Sequence, residues 1–295
     1  MGNDRQITRI LLIGCGRMGK AMLKGWLAQG VSPSNILVVE RDAHALDDID
    51  GEQRPALIEH IGDVELIDEP VCAVLAVKPQ VIDSVLADLS ALPLDSVLLS
   101  VAAGVTIARL KEKISPFVGV VRAMPNLPAA IGAGVTVMVA DGTTTAIQKA
   151  ACDELLRATG KTIWAEDEDC LDAVTALSGS GPAYVFLLIE VLARIGVELG
   201  LEDVMAAQLA EATVYGAACL AEQSNETATA LREQVTSPNG TTQAALQVLM
   251  GAGGIEPVFR AALQAAKNRS IELRTATPAV YRGCDLTSGR VEAAG

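Results

Sequence analysis

Ile10-Leu11-Leu12-Ile13 runs without a break into Gly14-Cys15-Gly16-Arg17-Met18-Gly19, and residues 20–29 follow as a helical stretch that stops at Gly30. A short continuous apolar run suits a strand buried on both faces of a parallel sheet. The glycines are spaced G-x-G-x-x-G between a strand and a helix, the context that gives this pattern its meaning. The first glycine permits a tight turn, the second lets backbone approach a pyrophosphate, and the third lets helix and strand pack closely. The helix N-terminus adds unpaired N–H groups for the phosphates. Ile13, Gly14, Cys15, Gly16, Arg17, Met18 and Gly19 are therefore the candidate dinucleotide cradle.

A second strand, 35–40, ends on Glu40, about 20 residues beyond the glycines, where an acid binds the ribose hydroxyls of NAD. Arg41 is its neighbour, and an arginine there holds the 2′-phosphate of NADP. The two signals conflict, and a solvated charge pair at a strand end explains both residues as well. Residues 42–70 are polar and irregular and read as a short helix, a weak strand and loops. Apolar runs at 72–77, 96–101, 118–122, 135–139 and 161–164 read as further strands, with helices at 81–89 and 143–159. Lys78-Pro79-Gln80 ends the third strand, Ala102-Ala103-Gly104 follows the fourth, and Met124-Pro125-Asn126-Leu127-Pro128 forms a double-proline loop. This alternation predicts an α/β Rossmann-type domain with a mostly parallel sheet.

The pattern changes after Glu166-Asp167-Glu168-Asp169. Helical stretches then dominate, at about 168–177, 182–199, 203–222, 227–235, 241–250 and 256–275. The division is a dinucleotide-binding domain over 1–166 and an all-α dimerisation and substrate domain over 167–295. Ser180 is the expected cap and Pro182 the first turn of the third-longest of these helices. Its charges, Glu190, Arg194 and Glu198, form one stripe on an otherwise apolar rod. Segment 203–222 is similar. Two such helices exceed what one small domain can bury, which points to an intimate homodimer, with burial against the nucleotide domain as the alternative.

The formal charge is −13, so nucleic acid and anionic membranes are not the expected partners, and no secretory signal precedes the first strand. The six cysteines lack C-x-x-C spacing and the two histidines, His44 and His60, stand apart, so no metal site is expected and free thiols in the cytoplasm are. The glycine–proline interruption at 179–182 argues against a membrane span.

Thr236-Ser237-Pro238-Asn239-Gly240-Thr241-Thr242 is the other constraining stretch. Pro presets φ, Asn and Gly accept positive φ, and a helix begins directly after. Unpaired N–H groups at that helix end, with four hydroxyls beside them, make a receptor for a small carboxylate. A hydroxyl-rich helix cap is the alternative reading. A nicotinamide reductase also needs a proton source or a pre-charged substrate. No His lies nearby and 182–199 contains no Lys, which disfavours a ketone or alcohol and suits an imine that arrives protonated.

With Ile13–Gly19, Ala76-Val77-Lys78-Pro79-Gln80, Ala102-Ala103-Gly104-Val105-Thr106, Arg122-Ala123-Met124-Pro125-Asn126, Ser178-Gly179-Ser180-Gly181-Pro182-Ala183-Tyr184 and the 237–242 turn in this order, the chain resembles the pyrroline-5-carboxylate reductases over nearly its whole length. The resemblance implies NADP- or NAD-dependent reduction of 1-pyrroline-5-carboxylate to L-proline. It implies that Ala76, Val77, Lys78, Pro79, Ala102, Ala103, Gly104 and Asn126 join the cofactor set. It implies that Ser237, Asn239, Gly240, Thr241 and Thr242 hold the substrate, with Thr242 on the ring nitrogen as the catalytic contact. Domain-swapped helical dimers, often assembled into a decamer, are implied too. Asn239 replaces the family's first glycine of the turn, and Leu127 a hydroxyl residue. A reductase of another small cyclic imine or hydroxyacid, and a non-catalytic nucleotide-sensing scaffold, are the rival readings.

Overall fold

A computed structural model of the chain describes residues 7–64 and 69–275. Its first compact unit runs to Leu171 and takes up the chain again from Arg269, and the second is Asp172–Asn268.

The first unit is built on an eight-stranded sheet of order β3-β2-β1-β4-β5-β6-β7-β8. The strands are β1 (Arg9–Ile13), β2 (Ile36–Val39), β3 (Ala56–Ile58), β4 (Val71–Leu75), β5 (Val97–Ser100), β6 (Gly119–Met124), β7 (Gly134–Ala140) and β8 (Gly160–Trp164). All neighbouring pairs are parallel except β6 with β7. A parallel return needs a crossover, and the 125–133 connection holds only a 3-10 turn, Leu127–Ile131, where a plain loop was expected. The weak strand expected within 42–70 is β3.

Period-two alternation sorts the central strands onto two cores. Leu12, Val74 and Leu99 face Met22, Leu23 and Trp26 of α1 (Arg17–Ala28) and Leu156 of α4 (Ala146–Arg157). Leu11, Leu75 and Leu98 face Ile82 and Leu86 of α2 (Ile82–Asp88) and Leu110 of α3 (Ile107–Lys111). Trp26 is wholly buried, and its ring N–H donates to the Leu155 carbonyl at 2.8 Å. Helix α3 was not foreseen. It has five residues and starts at Thr106, whose hydroxyl accepts from the Arg109 N–H at 3.2 Å.

The acidic run near 166–169 is not simply solvated. Glu168 Oε1 accepts from Arg122, which is 4% exposed, at 2.7 Å and from the Ile107 N–H at 2.9 Å. Asp169 pairs with Arg274 at the end of α10 (Ile255–Thr275).

The second unit is helical. A continuous helix runs Cys170–Glu198, through α5 (Cys170–Val174), a π turn at Thr175–Gly179 and α6 (Gly181–Glu198). Ser180 makes no side-chain cap, and its N–H bonds the Thr175 carbonyl at 2.8 Å. The expected break is thus a widening. Pro182 has no N–H to give and its ring crowds the carbonyl four residues earlier, so the helix opens by one residue rather than stopping. The Tyr184 hydroxyl donates to the Ala176 carbonyl at 3.0 Å inside that widened turn. Helices α7 (Asp203–Gln223), α8 (Ala228–Gln234) and α9 (Thr241–Leu249) follow. Cys170–Glu198 and Asp203–Gln223 are both long and apolar enough to cross a membrane by length and composition, and little of either is buried within the chain.

Asp141, just past β7, gathers Lys111, the hydroxyls of Thr143 and Thr144 and the Val120 N–H. Burial pushes its carboxyl up, but the Lys111 ammonium and the other donors outweigh this and hold it at about 2. A depressed folded value stabilises the fold above the ordinary carboxylate range and is lost as pH falls towards the folded value. Stability of the wild type is expected to decline between pH 4 and pH 2 partly through this group; Asp141→Asn should flatten that part of a urea-midpoint-against-pH curve.

Candidate active site

The sheet order reverses direction beside β1, which opens a crevice at the carboxyl ends of β1, β2 and β4. Gly14 leaves β1 at φ 91°, and its N–H bonds the Val39 carbonyl at 2.9 Å. A side chain there would meet Val77 at 2.8 Å and the Ala76 backbone at 2.9 Å. A Cβ on Gly19 would run into the Gly14 carbonyl, so α1 lies as close to β1 as backbone allows. Gly16 differs: no atom lies within 4 Å of where its Cβ would be. The three glycines therefore divide as turn, open face and close packing, and the open face fits a pyrophosphate. Gly16 caps α1 without a side-chain bond, and the first helical bond is Lys20 N–H to the Gly16 carbonyl at 2.8 Å. Among the described residues, the N–H groups of Arg17, Met18 and Gly19 meet no acceptor.

Ile13, Gly14, Gly16, Glu40, Arg41, Ala76, Val77 and Lys78 line one groove of about 350 Å³. Glu59, His60, Val81, Ser84, Val85 and Asp88 also line it and were missed. Glu59 and His60 follow β3, and no periodicity marks a strand of three residues. Glu40 Oε2 accepts from the Cys15 N–H at 2.7 Å, so the strand-end acid grips the glycine loop. Burial pushes the Cys15 thiol up to about 11, which keeps it neutral. Pro79, Ala102, Ala103, Gly104 and Asn126 do not line this groove. Asn126 has a structural task that the sequence did not announce, its Oδ1 accepting from the Val135 N–H at 2.9 Å at the start of β7.

In the helical unit, Asn239 sits at φ 58°, the left-handed conformation expected of it. The turn closes through the Gly240 N–H to the Ser237 carbonyl at 3.1 Å and the Asn239 N–H to Gln243 Oε1 at 2.6 Å. Gln243 was not foreseen as part of the turn. Gly240 is the cap residue of α9, and no side chain caps that helix. The Thr236 hydroxyl instead donates to the Arg232 carbonyl at 2.6 Å at the end of α8. Ser237 Oγ occupies the place a Gly240 side chain would take. Among the described residues, the N–H groups of Thr241, Thr242 and Gln243 meet no acceptor. The hydroxyl-rich cap is thus made only by Thr236 at the end of α8, while the start of α9 is left uncapped and open to an anion. No group of three or more His, Cys, Asp or Glu suited to a metal ion occurs among the described residues.

Residues 168–273 match the family described as pyrroline-5-carboxylate reductase dimerisation, and residues 9–104 match NADP oxidoreductase coenzyme F420-dependent. The pyrroline-5-carboxylate reductase of Pseudomonas aeruginosa is 39% identical over 90% of this chain and 96% of its own length. The chain belongs to the pyrroline-5-carboxylate reductase family. The Pisum sativum member is 40% identical over 88% of this chain and 94% of its own. A solved family member from Coxiella burnetii superposes with a TM-score of 0.84 at 36% identity, covering 91% of this chain and 99% of that one. A Plasmodium falciparum pyrroline carboxylate reductase solved with NADP bound shares the fold, with a TM-score of 0.76 at 24% identity over 92% of this chain and 100% of that one. The chain is an oxidoreductase, with a Rossmann-type domain followed by a helical domain through which it oligomerises.

The glycine geometry separates two variants. Gly19→Ala should lower the urea midpoint by the equivalent of about 1–3 kcal/mol, the usual cost of overpacking, while Gly16→Ala should leave it unchanged.

Proposed function

We propose that the protein reduces 1-pyrroline-5-carboxylate to L-proline with NADH or NADPH, the last step of proline biosynthesis. The observation that carries this reading is the turn at 236–242, with a left-handed Asn239, an uncapped α9 and Ser237 Oγ over the helix entry. Bound NAD(P)H supplies the hydride. The N–H groups of Thr241 and Thr242 and the Ser237 hydroxyl hold the ring carboxylate, Asn239 and Gly240 shape the turn, and Thr242 hydrogen-bonds the ring nitrogen. That nitrogen arrives protonated, so the chain needs only to orient it. The N–H groups of Arg17, Met18 and Gly19 take the pyrophosphate across the open face of Gly16. Residues 76–79 and 102–104, with Glu40, Arg41 and Asn126, complete the cofactor set. α6 carries no Lys, which a hydroxyacid reductase on this plan would need.

In this reading, residues 1–166 bind the dinucleotide, and residues 167–295 bind substrate and pair as a homodimer able to assemble further into a decamer. The exposed apolar faces of α6 and α7, among them Phe186, Leu192, Leu209 and Tyr215, support burial against a second copy. We place them there rather than in a bilayer because Glu190, Arg194 and Glu198 would put a charged stripe into lipid. A cytoplasmic enzyme follows.

Purified protein given 1-pyrroline-5-carboxylate should oxidise NADH or NADPH, and consumption of neither would refute the reductase reading. Thr242→Ala should lower kcat/KM by roughly 10- to 100-fold, the scale of one hydrogen bond to a charged group, with cofactor affinity unchanged. Gly16→Ala should show the opposite pattern, with weakened NAD(P)H binding by calorimetry and an intact fold. Light scattering at low protein concentration should reveal no monomer.

A further inference from the structure

Glu40 and Arg41 send opposite signals about the cofactor's adenosine ribose, and the structure treats the two side chains differently. The Glu40 N–H bonds the Ile58 carbonyl at 3.0 Å, which ties the strand-end backbone to β3. Its carboxylate is then held by three backbone donors. Oε2 accepts from the Cys15 N–H at 2.7 Å, and Oε1 accepts from the Arg41 N–H at 2.8 Å and the Asp42 N–H at 3.3 Å. The carboxylate is therefore held at the groove by Cys15, the residue between Gly14 and Gly16, and cannot swing away without breaking these bonds. An ionised carboxylate offers about four lone-pair sites. Oε2 keeps one open to a ribose hydroxyl.

Arg41 is exposed, and no ion pair fixes its guanidinium among the described residues. Glu59 brings a second carboxylate to the same groove, and Asp88 a third, against the cations Arg41 and Lys78. A ribose 2′-hydroxyl donates to a fixed carboxylate and gains a charge-assisted bond. A 2′-phosphate at that place sets a dianion against it, beside three carboxylates and with only the exposed Arg41 and Lys78 to compensate. From this, and resting on the reading of the groove as the adenosine end of the cofactor site, we infer that the protein selects NADH over NADPH and that Glu40 is the residue that determines the choice. Its bond to Cys15 links the selection to the glycine loop: the same carboxylate that excludes the phosphate holds the cradle in shape.

The test is calorimetric titration of the full-length protein with NADH and with NADPH in the absence of substrate. NADH should bind at least about tenfold tighter, the scale of one lost or repelled charge contact at the ribose. Glu40→Gln keeps an acceptor for the Cys15 N–H and removes the charge, and should narrow the NADH-to-NADPH ratio several-fold, chiefly by tightening NADPH. Arg41→Ala should shift both cofactors together, whereas a selective loss of NADPH would make Arg41 a phosphate clamp and overturn the inference. Equal affinities in the wild type, or tighter NADPH, would also overturn it, as would an unchanged ratio in Glu40→Gln. Should Glu40→Gln fail to fold in a thermal melt, the wild-type ratio and Arg41→Ala decide. Selective NADH binding without turnover of 1-pyrroline-5-carboxylate would sink the reductase reading and leave this one standing; turnover with NADPH preferred would do the reverse.

Discussion

Everything in the nucleotide-binding half depends on backbone packed against backbone where β1 gives way to α1. Gly19 has no side chain and so lets the helix settle against the Gly14 carbonyl, while Gly14 itself lies against Ala76 and Val77. This contact sets the direction of α1 and leaves its first N–H groups beside Gly16, the one of the loop's three glycines with open space around it. It also brings the loop within reach of the β2 acid. The candidate cradle thus comes first from tight backbone packing, with the Glu40 carboxylate fastened to the Cys15 N–H as its one charged support, and its anion-facing donors are backbone groups.

The helical half works under the opposite constraint. Only 3% of the chain is aromatic, so α6 and α7 rely on many small and branched aliphatics, and most of these find no cover within the chain. Helices of this kind are stable only when something apolar lies against them. The chain oligomerises through this helical domain, and in the proposed homodimer a second copy supplies that cover. An acidic surface and a strongly apolar helical face coexist because they belong to different parts of one chain.

The sheet was legible because β1, β4 and β5 are buried on both faces and read as unbroken apolar runs. Short elements without such a run were harder: a weak strand was expected within 42–70, but its pairing with β2 is what places β3, and α3, fixed by packing against distant residues, was missed. The glycine loop and the positive φ of Asn239 were readable because each residue type answers a local steric demand. Glu59 and His60 at the groove, the Gln243 side chain closing the turn and the structural bond of Asn126 were not, since each depends on which side chain the fold brings near. The Gly-Ser-Gly-Pro stretch misled in an instructive way. Its residues all signal a helix start, yet α5 already delivers a helix to that point, and a proline inside a running helix widens it.

That widening has a consequence for the phase of the whole rod. A π turn holds one residue more than an α turn, so the stripe of side chains on α5 and the stripe on α6 are offset by about 100° around the axis. The Tyr184 hydroxyl, bonded to Ala176 across the turn, acts as the pin that keeps the offset. The extra residue therefore behaves as a gear setting: it decides which side chains of α6 line up with those of α5, independently of the chemistry carried by either end.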